Sequence, residues 1–444
     1  VTDSPGRLRV HPGPPLASSF EPPGDKSITH RAFILGLIAA GDTEVTGAND
    51  GLDCAATLRC AEALGARVRR EEGSVRIAGR GASLSPPGGV LDCGNSGTTL
   101  RLLAGVVAAQ PFRSVLDGDD SLRARPVRRI VEPLRRMGAR LEARDGDRFP
   151  PLVVEGGKLH AVSHDVPVAS AQVASCLLLA GLRADGVTTV ALPAEARDHT
   201  QLMLPAFGIE LSIEKRTDAG PRVSVEGPQT PRGARVEVPG DFSAAAFFLA
   251  AAAAIPGARV RALSVGLNPT RTALLDVLEN MGAIVRREPR DRAGEAVGDV
   301  TVEGPARLRG FDVPEEWVPR MVDEVPAWAI AAAAAEGVST VRGAAELRVK
   351  ESDRLGALAE GLARLGIEVD ERPDGLAITG GVVRGGRVSA RSDHRMAMAF
   401  ALMGLGARAP VTVADAAGID TSFPGFAATL RRLGGRCDGG EEAT

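Results

Sequence analysis

One pattern returns six times along this 444-residue chain: a helix ends in a bulky residue plus Gly, and a strand, a turn and a second strand follow. It begins at Ala63 (ALGARVRREEGSVRIAG), Met137 (MGARLEARDGDRFPPLVVEG), Phe207, Met281 and Leu365, and in truncated form at Leu433 (LGGRCDGG). The Gly suits a helix C-cap, and the alternation after it, as in Ile367-Glu368-Val369-Asp370, reads as half-buried strand. The period is about 70 residues, too long for a solenoid unit and right for a small α/β subdomain. A second signal precedes each Gly by about 40 residues: an Ala- and Leu-rich helix opened by small or polar residues. These helices start at Gly24 (GDKSITHR), Gly94 (GNSGTTLR), Ala169 (ASAQVASCLLLA), Gly240 (GDFSAAAFFLA), Asp323 (DEVPAWAIAAA) and Asp393 (DHRMAMAFALMG). PGDKS from Pro23 and PGDFS from Pro239 are close copies, which suggests an older duplication and two equivalent hinges.

A helix N-terminus presents unpaired N–H groups and a partial positive charge, so it suits anions. Several such ends facing one cleft would trap phosphate and carboxylate. Any single one reads equally as an ordinary N-cap. Six in phase, several with Lys or Arg attached, favour the anion reading.

Bulk properties narrow the class. With 44% hydrophobic and 25% charged residues the chain has the composition of a globular protein, long enough for two or three domains. Aromatics are only 3%, with no Tyr, so the core must be built from Ala, Val, Leu and Ile. A formal charge of -3 argues against nucleic acid as a partner. The polar, proline-rich Val1 to Pro15 does not read as a secretory signal, and the apolar run Phe242 to Ile255 falls short of the roughly 20 residues of a membrane span. Five scattered cysteines (Cys54, Cys60, Cys93, Cys176, Cys437) without a CxxC pair read as reduced thiols of a cytoplasmic protein. Six His form no HxH or HExxH pattern, so no metal and no cofactor are expected.

Candidate chemistry sits at the helix starts. Lys26 opens the first, and Ser27 and Arg31 share one face a turn apart; the Walker pattern is absent, which removes nucleotide hydrolysis. Asn95, Gly97, Thr98 and Arg101 lie in GNSGTTLR, where Gly allows a ligand close to the backbone. Arg125 precedes Pro126, read as the first position of a helix. Lys350 and Arg354 in VKESDRL fall on one helical face, with Glu351 three residues before the Arg; a surface ion-pair network would look the same. Asp323 and His394-Arg395 stand at repeat-helix starts ahead of apolar stretches.

Taken in order, PGDKSITHR, GNSGTTLR, LRARPV, ASAQ, VDEVP, VKESDR and SDHRMAM resemble the 5-enolpyruvylshikimate-3-phosphate synthases over nearly the whole chain. The ASAQ and ARDHT forms are similar to the bacterial subgroup known for glyphosate tolerance. The resemblance implies an α/β fold of two globular domains, each of three repeated βαβαββ-type units, hinged by two crossovers at Pro22-Pro23-Gly24 and Pro239-Gly240-Asp241 and closing on substrate. One domain would be discontinuous (1–21 and 241–444, with the acid/base residues), the other inserted (22–240, with much of the shikimate 3-phosphate site). By the same carry-over, shikimate 3-phosphate meets Ser27, Arg31, Ser170, Gln172, Arg197, Asp323 and Lys350. Phosphoenolpyruvate meets Lys26, Gly97, Arg125, Arg354 and Arg395, with Asn95 in the same turn. Ala171 and Thr421 stand where the enterobacterial type has Ser and Lys, and Leu102 where it has Pro. Ala171 is kept among the substrate-binding positions.

The implied reaction moves the enolpyruvyl group of phosphoenolpyruvate to the 5-hydroxyl of shikimate 3-phosphate and releases phosphate, a step towards the aromatic amino acids. Glu351 is the expected proton donor to carbon. Asp323 would orient or deprotonate the hydroxyl, and Lys26 and Lys350 would stabilise charge. The alternative is a UDP-N-acetylglucosamine enolpyruvyl transferase, which carries a reactive Cys before its Arg-Pro segment; Asp117 to Pro126 contains none. A non-catalytic anion-binding protein would not need Lys26, Asp323, Glu351 and Arg354 together. A cytoplasmic monomer is expected, and the acidic tail Gly439 to Thr444 has no assigned role.

Overall fold

A computed structural model describes residues 6–217, 219–290 and 294–439. The start of the proline-rich N-terminus and the acidic tail beyond Gly439 lie outside the described residues.

All six repeat glycines end a helix with positive φ: Gly65 (+99°), Gly138 (+105°), Gly208 (+73°), Gly282 (+104°), Gly366 (+86°) and Gly434 (+97°). A side chain there would be strained, which is why the signal is so regular in the sequence. The hairpin strands that follow include Arg67–Glu71 with Ser74–Ala78, Arg140–Ala143 with Phe149–Glu155, and Glu368–Arg372 with Gly375–Thr379.

Each hairpin belongs to a small sheet, and there are six among the described residues. Five have the same order: the first hairpin strand, then the second, then an antiparallel strand, then a parallel edge strand. The fifth sheet has three strands, and isolated parallel bridges such as Asp312 to Thr340 stand at its edge.

Two departures explain how the chain is routed. The truncated sixth repeat supplies only Arg436–Gly439, and the N-terminal strand Leu8–His11 takes the place of its missing partner, antiparallel to both neighbours. The edge strands before the two PGD segments are exchanged. Ala17–Phe20, which leads into the first repeat, pairs with Arg259–Gly266 of the fourth; Arg235–Glu237, which leads into the fourth, pairs with Asp42–Thr46 of the first. The chain accordingly divides into two compact units, one of residues 1–23 with 239–444 and one of residues 24–238.

Each unit has its own core around three repeat helices. These are Lys26–Ile38, Gly97–Val107 and Ala171–Gly181 in the continuous unit, and Phe242–Ala254, Val325–Ala334 and His394–Met403 in the discontinuous one. Their hydrophobicity is not confined to one stripe: every residue from Phe242 to Ala253 is buried, as befits a helix enclosed on all sides. With few aromatics available, the small Ala side chains let these helices approach closely. No helix among the described residues is long and apolar enough to cross a membrane.

Candidate active site

Five of the six repeat helices begin with a capping side chain. Asp25 accepts from Ile28 N, Ser96 from Thr99 N, Ser170 from Val173 N, Asp241 from Ser243 N and Ala244 N, and Asp393 from Arg395 N. Each of these side chains thus caps its helix, Ser170 included. The exception is the fifth helix. It begins at Val325 with Pro326 in its first turn, so Asp323 lies in the preceding 3-10 turn Val322–Glu324 rather than at the helix start.

In the continuous unit the polar groups interlock. Lys26 Nζ pairs with Asp53 Oδ2 at 2.9 Å, across to the helix Leu52–Ala63. Arg31 is buried: Nε donates to Thr200 Oγ1 (2.8 Å), Nη2 to Ser175 Oγ (3.0 Å) and Nη1 to the Ser27 carbonyl (2.9 Å). Arg101 Nη1 donates to Gln172 Oε1 (2.7 Å), whose amide in turn donates to Thr98 Oγ1 (2.9 Å). Arg125 Nη2 donates to Asn95 Oδ1 (2.5 Å) and Ser121 Oγ (3.0 Å), and Asn95 Nδ2 donates to Asp119 Oδ2 (2.7 Å). Gly97 is the first residue of its helix, and a Cβ there would come within 2.6 Å of Arg101 Nη1 and 3.6 Å of Arg125 Nη1. Ala171 opens the helix that carries Gln172, and Arg197 is half-buried two residues before the short helix His199–Met203 that supplies Thr200.

One detail differs from the sequence reading. Pro126 is not the first residue of a helix: the turn Asp120–Arg123 precedes Arg125, Val127 caps, and the helix runs Arg128–Arg136. Residues before a proline avoid helical geometry, so Arg125 sits in a bend that turns its guanidinium towards Asn95.

In the discontinuous unit the centre is Arg354, about 1% exposed. Its Nε meets Asp393 Oδ2 at 2.8 Å, Nη2 meets Glu351 Oε2 at 2.6 Å, and Nη1 meets Asp323 Oδ1 at 3.2 Å. Burial would lower its pKa, but the charges of Asp393, Glu351 and Asp323 outweigh that and raise it. Lys350 Nζ reaches Asp323 Oδ1 (3.4 Å) and Glu346 Oε1 (3.2 Å). Arg395 Nη1 donates to the Asp323 carbonyl at 2.9 Å. The single helical face expected for Lys350 and Arg354 is not formed. Asp353 caps the helix Arg354–Arg364 by accepting from Gly356 N, so Lys350 and Glu351 lie in the loop before it. Loop backbone is what lets Glu351 bend back onto Arg354. Thr421 ends a 3-10 turn, its hydroxyl donating to the Gly418 carbonyl.

Two carboxylates, one in each unit, carry no local signal in the sequence. Asp53 lies in an unremarkable helix, and Asp393 was read only as a helix start. Their partners are 27 and 39 residues away, so no local spacing could reveal them. Four cysteines are buried and Cys437 is half-buried; burial pushes the Cys176 thiol up to about 12. No group of three or more His, Cys, Asp or Glu among the described residues is arranged to hold a metal ion.

The family model described as EPSP synthase (3-phosphoshikimate 1-carboxyvinyltransferase) matches residues 10–430. A 3-phosphoshikimate 1-carboxyvinyltransferase of Anaeromyxobacter sp. (strain K) is 50% identical over 438 residues, covering 98% of both chains. That of Paramagnetospirillum magneticum is 48% identical over 431 residues, 96% of each. A solved EPSP synthase structure from Acinetobacter baumannii is 41% identical, with a TM-score of 0.84 over 98% of this chain and 100% of that one. With the family model and such relatives spanning nearly its whole length, this chain belongs to the EPSP synthase (3-phosphoshikimate 1-carboxyvinyltransferase) family.

Proposed function

We propose that the protein joins phosphoenolpyruvate to the 5-hydroxyl of shikimate 3-phosphate and releases phosphate. The observation that carries the proposal is the charge chemistry of the two constellations. In one unit, cations are oriented by hydroxyls and amides, which suits anionic substrates. In the other, carboxylates surround a buried Arg, which suits proton transfer.

In this reading Ser27, Arg31, Ser170, Gln172 and Arg197 hold shikimate 3-phosphate, with Ala171 beside them and Asp323 and Lys350 at its reacting end. Lys26, Asn95, Gly97, Arg125, Arg354 and Arg395 hold phosphoenolpyruvate. Glu351 delivers a proton to the methylene carbon while the 5-hydroxyl oxygen bonds to the adjacent carbon. Asp323 takes the hydroxyl proton. The tetrahedral adduct then returns a methyl proton to the Glu351 carboxylate and expels inorganic phosphate, whose charge Lys26 and Lys350 balance. The same reading has the enzyme working as a cytoplasmic monomer.

Steady-state assays with shikimate 3-phosphate and with UDP-N-acetylglucosamine as acceptors test the proposal. Product is expected with the first alone. Turnover of the sugar nucleotide at a comparable rate would overturn it.

A further inference from the structure

Below Lys26 and the Gly97 turn lies a chain of buried hydroxyls that the proposed substrate contacts do not use. His30 stands four residues after Lys26, and Thr57 four residues after Asp53, so the pairs Lys26–Asp53 and His30–Thr57 are successive rungs between the same two helices. His30 Nδ1 lies 2.6 Å from Thr57 Oγ1. Burial, helped by the charges of Lys26 and Arg31, holds the His30 pKa well below its ordinary value, so the ring is neutral. Thr57 Oγ1 lies 2.5 Å from Thr99 Oγ1 on a third helix. Thr99 Oγ1 donates on to Ser96 Oγ (2.7 Å), the cap that starts the helix at Gly97. Thr57 and Thr99 are both wholly buried. A hydroxyl in that setting costs stability unless it is paired, and Val would fill the same volume without the cost.

We infer that Thr57 is a positioning residue: its hydroxyl fixes the helix bearing Lys26 against the turn bearing Gly97, and so sets the phosphoenolpyruvate site. This rests on the reading of Lys26 and Gly97 as phosphoenolpyruvate contacts. Ser27 and Arg31 stand on the same helix as Lys26, but Arg31 is also tied to Ser175 and Thr200 on other helices, whereas the hydroxyl chain ends at the Gly97 turn, so phosphoenolpyruvate binding should shift far more than shikimate 3-phosphate binding.

The test compares Thr57→Val with Thr57→Ser, varying each substrate in turn and following Tm. Thr57→Val should raise KM for phosphoenolpyruvate about tenfold, the scale of one well-placed hydrogen bond, and leave KM for shikimate 3-phosphate within about twofold. Thr57→Ser, which keeps the hydroxyl, should restore phosphoenolpyruvate KM at a Tm no higher than that of the Val variant. Thr99→Val should reproduce the same split from the other side. The inference is overturned if Thr57→Val leaves both KM values unchanged, if both rise together as Tm falls, or if Ser behaves as Val does. Lys26→Met separates the two levels of the argument. If it raises phosphoenolpyruvate KM while Thr57→Val does not, the inference alone fails. If it leaves that KM unchanged, the reading of the site fails and takes the inference with it.

Discussion

The two units repeat one architecture and fill it with different polar side chains. In the continuous unit Arg31, Arg101 and Arg125 are oriented by Ser, Thr, Asn and Gln side chains and by backbone carbonyls. In the discontinuous unit Arg354 is enclosed by Asp323, Glu351 and Asp393. Hydroxyl and amide partners fix the direction of these guanidinium groups, while Lys26 in the same unit is paired with the Asp53 carboxylate. Carboxylate partners balance the charge of the buried Arg354 and fix its position. The repeat thus supplies a scaffold, and the side chains at and near its helix starts give each unit its own polar character.

The sharpest way to break this comparison is to remove the arginine that the carboxylates surround. Arg354→Met should destabilise the protein by about 3–5 kcal/mol, since it leaves the buried Asp393, with the half-buried Asp323 and Glu351, uncompensated. Urea denaturation measures this, and an unchanged midpoint would mean the cluster is not held by charge balance. Turnover should fall with it.

Next in size are the carboxylates themselves. Asp323→Ala and Glu351→Gln should each slow turnover by roughly a hundredfold or more, the scale of a positioned acid–base group. Glu351→Gln should also suppress proton exchange into the methylene group of phosphoenolpyruvate while substrate binding persists. Near-normal exchange would move the proton donor to Lys26 or Lys350.

A smaller effect tests the other unit. The methyl group of Gly97→Ala would press on Arg101, which Gln172 and the Pro126 carbonyl keep from swinging away. Glyphosate inhibition should weaken about tenfold and phosphoenolpyruvate KM rise about threefold, because the longer ligand is crowded more. Equal weakening in competition assays would show that the space at Gly97 does not discriminate.

The smallest expected effect is one of pH. Burial would raise the pKa of Asp299, but the Ser264 N–H, Arg261 and Arg290 lower it below the ordinary carboxylate value. A folded-state pKa below the unfolded one gives stability that is fully present above about pH 4 and fades as pH falls through the lowered value. Asp299→Asn should therefore cost about 1 kcal/mol or less near neutrality, its arginines being largely solvent-exposed, and the gap should close in acid. Denaturation curves for both proteins across that range measure it; a gap that widened in acid would reverse the sign.

Local chemistry wrote much of this fold into the sequence. Gly65, Gly138, Gly208, Gly282, Gly366 and Gly434 are legible because only glycine takes their backbone angles without strain, and the helix starts are legible because caps must lie beside the N–H groups they satisfy. Lys26, Arg31, Asn95 and Gly97 could be picked out for the same reason, each lying within or beside such a start. What the tertiary structure decided is which distant groups meet. The strand Leu8–His11 completes the last repeat's sheet from the other end of the chain, and Ala17–Phe20 and Arg235–Glu237 exchange sheets. Asp53 comes to Lys26, Asp393 to Arg354, and Glu351 bends back from a loop where a helix was expected. Helical and strand periodicity relate residues two to four apart, whereas these partners are joined by packing of whole elements, and that packing is set by the volume of the cores and by which sheet edge each strand can reach.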